Sequence, residues 1–195
     1  MICPLNKLCE VQSADDSDLS FEEIAVEELN RLRECNRDLD EDVFRTLDAK
    51  RFRCFALVAN KQVVAYAWTG RGVIPAEHNC NGHPWTGLSF QLSPLDAYLF
   101  SAYVKSDHRG RRLYQSIVCK VAELLLADGV QRLILTTDAL NSASLRAVER
   151  MGFVCCGSTR FIGWFGLRCG RYKMTTAFTP NNLGFYVGDT RRRHD

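Results

Sequence analysis

Arg109, Gly110, Arg111 and Arg112 stand in a polar turn between an apolar, strand-like run ending at Val104 and a helix-like run opening at Leu113. Guanidinium groups grip phosphate bidentately. A glycine opens backbone conformations closed to other residues, and a helix N-terminus offers unpaired N–H groups and about half a positive charge. Those residue types at that spacing make an anion site suited to a pyrophosphate. No Gly-Lys-Ser/Thr follows, so the turn is not a Walker loop. Gly110 is its only glycine, so it is not the dinucleotide fingerprint either.

The elements around this turn follow from periodicity. Ser20-x-x-Glu23 reads as a capping box, and Phe21, Ile24, Ala25, Leu29 and Leu32 recur at helical spacing, predicting a first helix to Arg33. A second short helix is expected over Glu41–Leu47. Cys54–Ala59 and Val63–Trp68 are expected strands joined at Asn60-Lys61. From Gly70 to Ser93 the chain is rich in Gly, Pro, Asn and His, so an irregular segment with a short strand near Leu88–Leu92 is predicted, long enough to suggest function. Asp96–Lys105 is the strand feeding the arginine turn. Leu113, Ile117, Val121, Leu124 and Leu125 then line one face of a helix ending at Asp128-Gly129. An apolar strand (Arg132–Thr137), a helix (Ser142–Met151) halted by Gly152, two strands (Phe153–Phe165, Cys169–Phe178) and an irregular tail from Pro180 complete the chain. Strands first, then β-α-β-α-β, implies an α/β fold on a mixed sheet.

Composition narrows the class. The 195 residues are 46% hydrophobic and 25% charged, the profile of one folded domain. No apolar run is long enough to span a bilayer, and no secretory signal precedes the acidic stretch at Asp15–Asp18. Nine scattered cysteines, without Cys-x-x-Cys or zinc spacing, read as reduced thiols of a cytoplasmic protein that holds no metal. Charge is unevenly spread. Residues 1–50 carry 6 Lys/Arg against 14 Asp/Glu, whereas residues 51–195 carry 19 against 9. An anionic ligand therefore belongs to the later part. A nucleic-acid-binding domain is a weaker alternative, and Arg191-Arg192-Arg193 is most simply a basic tail.

Val104-Lys-Ser-Asp-His-Arg109-Gly-Arg-Arg-Leu-Tyr114 resembles the acetyl-CoA loop of the GNAT N-acetyltransferases, Val-x-Pro-x-x-Arg/Gln-x-x-Gly-x-Gly/Ala. Asn141-Ser-Ala-Ser144-Leu-Arg-Ala-Val148-Glu-Arg-Met-Gly152-Phe153 resembles the family's second motif. The clear resemblance covers Asp96–Phe165. It implies a single GNAT-like domain over 1–195: an N-terminal helical part (18–50), a CoA-binding core (94–165) and an irregular tail (180–195). The implied fold is a mostly antiparallel sheet of about six or seven strands flanked by about four helices. The implied reaction is direct attack of a small-molecule amine, a sugar amine among the candidates, on the thioester of acetyl-CoA or another short acyl-CoA. A monomer or homodimer with no membrane partner is expected. The alternative is a non-catalytic CoA-binding sensor or scaffold.

The same resemblance assigns the CoA loop to Tyr103, Val104, Arg109, Gly110, Arg111, Arg112, Leu113 and Tyr114. A backbone N–H near Tyr103 would meet the oxyanion, Asn141 would contact the CoA arm and Ser144 would lie alongside it. Four positions depart from the family pattern. Arg112 replaces the second glycine, Tyr114 the last small residue of the loop, Ser106 a common proline, and Val148 the tyrosine that protonates the leaving thiolate. Asp96 and Tyr98 share a strand face and are candidates for acid–base work. Tyr114 is a candidate replacement acid, with Tyr98 and Tyr172 beside it. Glu77, His78 and His83 in the long segment are further bases. Cys119 and Cys155 lack a partner histidine for nucleophilic work. Trp85, Phe161, Trp164 and Phe165 are candidate acceptor contacts.

Overall fold

The computed structural model describes residues 1–9, 18–37, 39, 44, 47–75, 78, 90–164, 167–174 and 186–187, with backbone alone for 9, 90, 159–164, 167–174 and 186–187. In chain order the elements are β1 (Ile2–Pro4), α1 (Leu5–Cys9), β2 (Ser20–Ile24), a 3-10 turn (Val26–Glu28), α2 (Asn30–Cys35), β3 (Phe52–Ala59), β4 (Gln62–Gly70), β5 (Val73–Ile74) and β6 (Phe90–Gln91). There follow β7 (Asp96–Val104), a 3-10 turn (Ser106–His108), α3 (Leu113–Ala127), β8 (Arg132–Leu135), α4 (Ser142–Arg150), β9 (Gly157–Trp164), β10 (Leu167–Met174) and β11 (Tyr186–Val187).

Six strands form the central sheet in the order β1-β8-β7-β4-β3-β2, and β7–β8 is its one parallel pair. A parallel pair needs a crossover, and α3 supplies it between β7 and β8. The β3–β4 hairpin turns where expected. Asn60 (φ 50°) and Lys61 (φ 66°) both take the left-handed conformation that a tight hairpin twist demands.

Each face of the sheet carries its own apolar layer. On one, Phe55, Leu57, Ala65, Ala67, Ala97, Leu99, Leu133 and Leu135 pack under α1 and α3. On the other, Cys54, Ala56, Tyr66, Trp68, Tyr98, Phe100 and Ile134 pack under Leu29, Leu32, Cys35, Phe44 and Leu47. The alternation of the two sets along β3, β4 and β7, broken on β4 only at Val64-Ala65 where the β3–β4 register shifts, is what a sheet buried on both sides requires.

The N-terminal part departs from expectation. Ser20 caps no helix: its Oγ bonds the Glu22 carboxylate at 2.9 Å, and residues 20–24 pair antiparallel with β3 from Ser20↔Val58 to Ile24↔Cys54. Ring stacking of Phe21 on Phe55 and paired arginines hold this strand in place: Glu23 on Arg53, Glu22 on Arg31. Cross-strand pairing overrode the local capping signal, and only Leu29 and Leu32 keep the expected helical burial. β1, not anticipated from sequence, closes the sheet beside β8 (Ile2↔Ile134). The tail also differs, since Tyr186–Val187 pairs with β6, while 180–185 and 188–195 lie outside the described residues. Of the Glu41–Leu47 helix, only Phe44 and Leu47 are described, both buried.

Candidate active site

β7 and β8 run together only from Asp96↔Arg132 to Leu99↔Leu135. There β8 ends, while β7 continues to Val104 and turns through residues 105–112 into α3. The sheet therefore splits into an open wedge, and Phe100–Val104 has no strand beside it on the β8 side among the described residues. Such an edge presents N–H and C=O groups able to pair with an extended ligand.

Midway along that edge the chain bulges. Tyr66 opposes Tyr103 and Trp68 opposes Phe100, so two residues of β7, Ser101 and Ala102, face Ala67 alone. Ser101 takes φ 44°. A bulge beside a wedge redirects backbone N–H groups out of the ladder, which is the arrangement an oxyanion donor needs.

At the wide end of the wedge lies the arginine turn. Arg109 donates from Nε to the Val104 carbonyl (3.2 Å), and its guanidinium sits 5.7 Å over the Tyr103 ring. Tyr103 in turn stacks on Tyr66 (5.9 Å), whose hydroxyl accepts from Asn36. Gly110 has φ 83° with open space where a Cβ would stand, so the backbone conformation, not crowding by protein, calls for glycine. Arg112 caps α3 at φ 60°, ψ 22° and makes no side-chain cap bond. The first turn of α3 carries no acidic residue, so its N–H groups and dipole face the turn uncompensated by an acidic side chain. Arg111 is already paired with a carboxylate. It grips Asp18 (3.0 and 3.1 Å) and leans on His108 Nδ1 (3.5 Å).

Of the open wedge, the bulge at its midpoint and the cationic helix start at its mouth, the sequence motifs anticipated the last. Residues 19–153 match the sequence profile described as the Acetyltransferase (GNAT) family. The chain belongs to this family. Among solved structures it is similar to the ribosomal-protein-S18-alanine N-acetyltransferase of Escherichia coli, at 18% identity over 73% of this chain and 79% of that one, TM-score 0.54. It is also similar to the aminoglycoside N-acetyltransferase AAC(6′)-Iy in complex with CoA, at 16% identity, 77% and 100% coverage, TM-score 0.53. A third is the aminoglycoside acetyltransferase meta-AAC0020 from an uncultured soil metagenomic sample, in complex with sisomicin, at 13% identity, 70% and 88% coverage, TM-score 0.51. At such identities the likeness is one of fold. No curated protein matches the chain. GNAT enzymes move an acyl group from acetyl-CoA, and the α/β architecture of this chain, a mostly antiparallel sheet with helices on both faces, is theirs.

Against that GNAT frame the individual candidates sort clearly. Asp96 lies at the closed end of β7, fully buried, its carboxylate gripped by Arg132 Nε (2.6 Å) and Nη2 (3.0 Å). Burial raises its carboxyl above the ordinary range and the two Arg132 donors pull it back. A carboxylate so engaged, eight residues of strand from the arginine turn, is a structural acid, and its expectation as a base is corrected. Tyr98 is 1% exposed, and its hydroxyl meets Thr136 Oγ1 at 2.5 Å. Tyr114 packs half-buried against the α3 core, and burial pushes its phenol up. Asn141 spends its Oδ1 on the Ser144 N–H (3.0 Å), capping α4. The motif's Asn therefore has a local helix-capping duty that sequence alone did not reveal. Val148 is fully buried with Leu133, Met151 and Phe153 and offers no proton.

The remaining candidates are placed in part. His78 is buried between Phe44, Phe52 and Phe100, at 6.0, 6.1 and 5.5 Å between rings, which makes it a packing histidine rather than a solvated base. Cys119 is buried. Cys155 is exposed, its thiol directed at the Gly157 carbonyl. Glu77, His83, Trp85 and Phe165 lie outside the described residues, as do the side chains of Phe161, Trp164 and Tyr172. Sequence reasoning missed Ser101, Thr136 and Asp18. A positive φ at a serine, or a threonine one step past a strand, leaves no periodic signal.

Proposed function

We propose that this GNAT enzyme transfers an acetyl or short acyl group from acyl-CoA to the amine of a small molecule, by direct attack on the thioester. The observation that carries the proposal is the wedge, open from Phe100 to Val104 and leading straight to the N-terminus of α3. The pyrophosphate would sit on the first-turn N–H groups of Leu113 and Tyr114, with Arg109 and Arg112 closing over it. Arg111 would join by exchanging Asp18 for phosphate. Pantetheine amides would pair with Tyr103 and Val104. The bulge at Ser101-Ala102 would aim an N–H at the carbonyl oxygen, where charge develops as the amine attacks. Asn141, with its Nδ2 group to spare, and Ser144 would flank the arm.

A cationic amine fits the net negative charge of the first fifty residues, whose α2 packs on the sheet face opposite α3. A sugar amine is our candidate acceptor class. Relatives of this fold acting on aminoglycosides are consistent with it, and the alanine acetyltransferase likeness makes a peptide amine the comparison arm. The test is a panel of amino sugars, polyamines and N-terminal peptides, with CoA thiol release as readout. Turnover concentrated on amino sugars is expected. Release with none of the amines, from a protein that binds CoA, would instead favour the sensor reading, for which the proton-less Val148 is the one supporting observation. Incubation with acyl-CoA alone should leave the protein's mass unchanged, whereas an adduct on Cys155 or Cys119 that proceeds to product would overturn direct attack.

A further inference from the structure

A GNAT without a hydroxyl at position 148 still has to protonate its leaving thiolate. Val148 is sealed into the apolar layer under α3 with Leu133, Leu135 and Phe153. The opposite face of the sheet holds a different arrangement. Tyr98 belongs to the layer with Phe100 and Ile134, and its hydroxyl bonds Thr136 Oγ1 at 2.5 Å. Thr136 is the first residue past β8, directly after the last paired couple, Leu99↔Leu135. The two hydroxyls therefore bridge β7 and β8 at the apex of the wedge. Thr136 is exposed there, while Tyr98 is buried behind it.

The position is what matters. With phosphates at the start of α3, the ligand's arm must run back along β7 from Val104. Four strand steps return it to Phe100, about 13 Å at ~3.3 Å per residue. The acyl end thus arrives where Thr136 stands, one residue from the bulge that offers the oxyanion donor. We infer that the Thr136–Tyr98 hydroxyl pair is the proton donor to the departing CoA thiolate, replacing the family's tyrosine from the other face. This assignment rests on the acyl transfer proposed above.

In the step itself the amine nitrogen bonds the carbonyl carbon and the C–S bond breaks. Sulfur takes the Thr136 hydroxyl proton, and Thr136 takes that of Tyr98. The phenolate recovers its proton through the exposed Thr136 hydroxyl, from the water that accepted the one shed by the amine nitrogen. Net products are amide and free thiol. Even an ordinary tyrosine, near ~10, is a weaker acid than an ordinary thiol, near ~8.5, so the pair acts as a general acid that hydrogen-bonds the departing thiolate as the C–S bond breaks.

The experiment uses Thr136→Val, Thr136→Ser and Tyr98→Phe, each first checked for an unchanged acetyl-CoA-induced melting shift. With the best amine acceptor, Thr136→Val should lose about 100-fold in kcat at constant KM for acyl-CoA, and Thr136→Ser should recover most of it. The Thr136→Val/Tyr98→Phe double variant should be no slower than Thr136→Val alone, because the pair acts as one unit. A second measurement needs no acceptor: ultraviolet titration of the thiol of bound CoA. A hydroxyl donating to the thiolate holds its pKa down, so the bound thiol should titrate at lower pH in the wild type than in Thr136→Val. Equal thiol titration in the two proteins, or a Thr136→Val enzyme within about twofold of wild type, overturns the assignment while leaving the CoA site standing. Failure of the wild type to bind CoA at all would sink both.

Discussion

Arg112 holds φ 60° and ψ 22° at the start of α3, a conformation that costs an L-residue about 1–2 kcal/mol and that glycine enters freely. The family's glycine at this position is thus a conformational requirement, and this chain meets it with a strained arginine. Exchange to glycine should relieve the strain. Arg112→Gly is expected to raise stability by about 1 kcal/mol, a melting shift of a few degrees for a domain of this size. Arg112→Ala should gain nothing, and equal melting of the two variants would mean the turn is unstrained. The residue scale also separates what motif spacing can announce from what it cannot. Arg109 and Gly110 were legible because their chemistry is local to a turn, whereas the Asn141 cap showed only in the structure. Asp96 was misread because its partner, Arg132, is brought to it across the parallel β7–β8 pair, a contact no local window contains.

Among the elements, the core strands and both long helices could be read from periodicity, while β2 could not. Ser20-Phe-Glu-Glu-Ile carries helix-capping and strand-forming signals together, and the decision came from outside, through five paired positions on β3 and the arginines Arg31 and Arg53. Those arginine bonds hold the Glu22 and Glu23 carboxyls below the ordinary glutamate range. A depressed folded pKa contributes stability that is complete above the unfolded value, near ~4.3, and is lost as pH falls through the folded values. β2 should therefore loosen below about pH 4 before the interior strands do. Backbone hydrogen exchange read at successive acidic pH values should show residues 20–24 losing protection, relative to neutral pH, ahead of β4 and β7. Simultaneous loss in all three strands would show that the glutamate pairs do not hold this edge. Arg53 grips Glu23 at 2.7 Å and Asp128 at 2.9 Å, which ties the β2 edge to the end of α3.

Across the whole molecule, α1 and α3 cover one face of a six-stranded sheet and α2 the other, and the sheet splits open between β7 and β8. The wedge itself was not visible in sequence, because β8 and β7 each read as ordinary strands and only their unequal lengths, four residues against nine, open it. Its use as an acyl-CoA site is the central claim, and a melting experiment tests it most directly. Acetyl-CoA at about 100-fold above Kd should stabilise the protein by about 2.7 kcal/mol, a shift of several degrees. Pantetheine lacking the pyrophosphate should give far less, and Arg109→Glu should abolish the acetyl-CoA shift while leaving the unliganded melting temperature nearly unchanged. A melting curve unmoved by millimolar acetyl-CoA, or a shift that survives Arg109→Glu intact, would contradict the account.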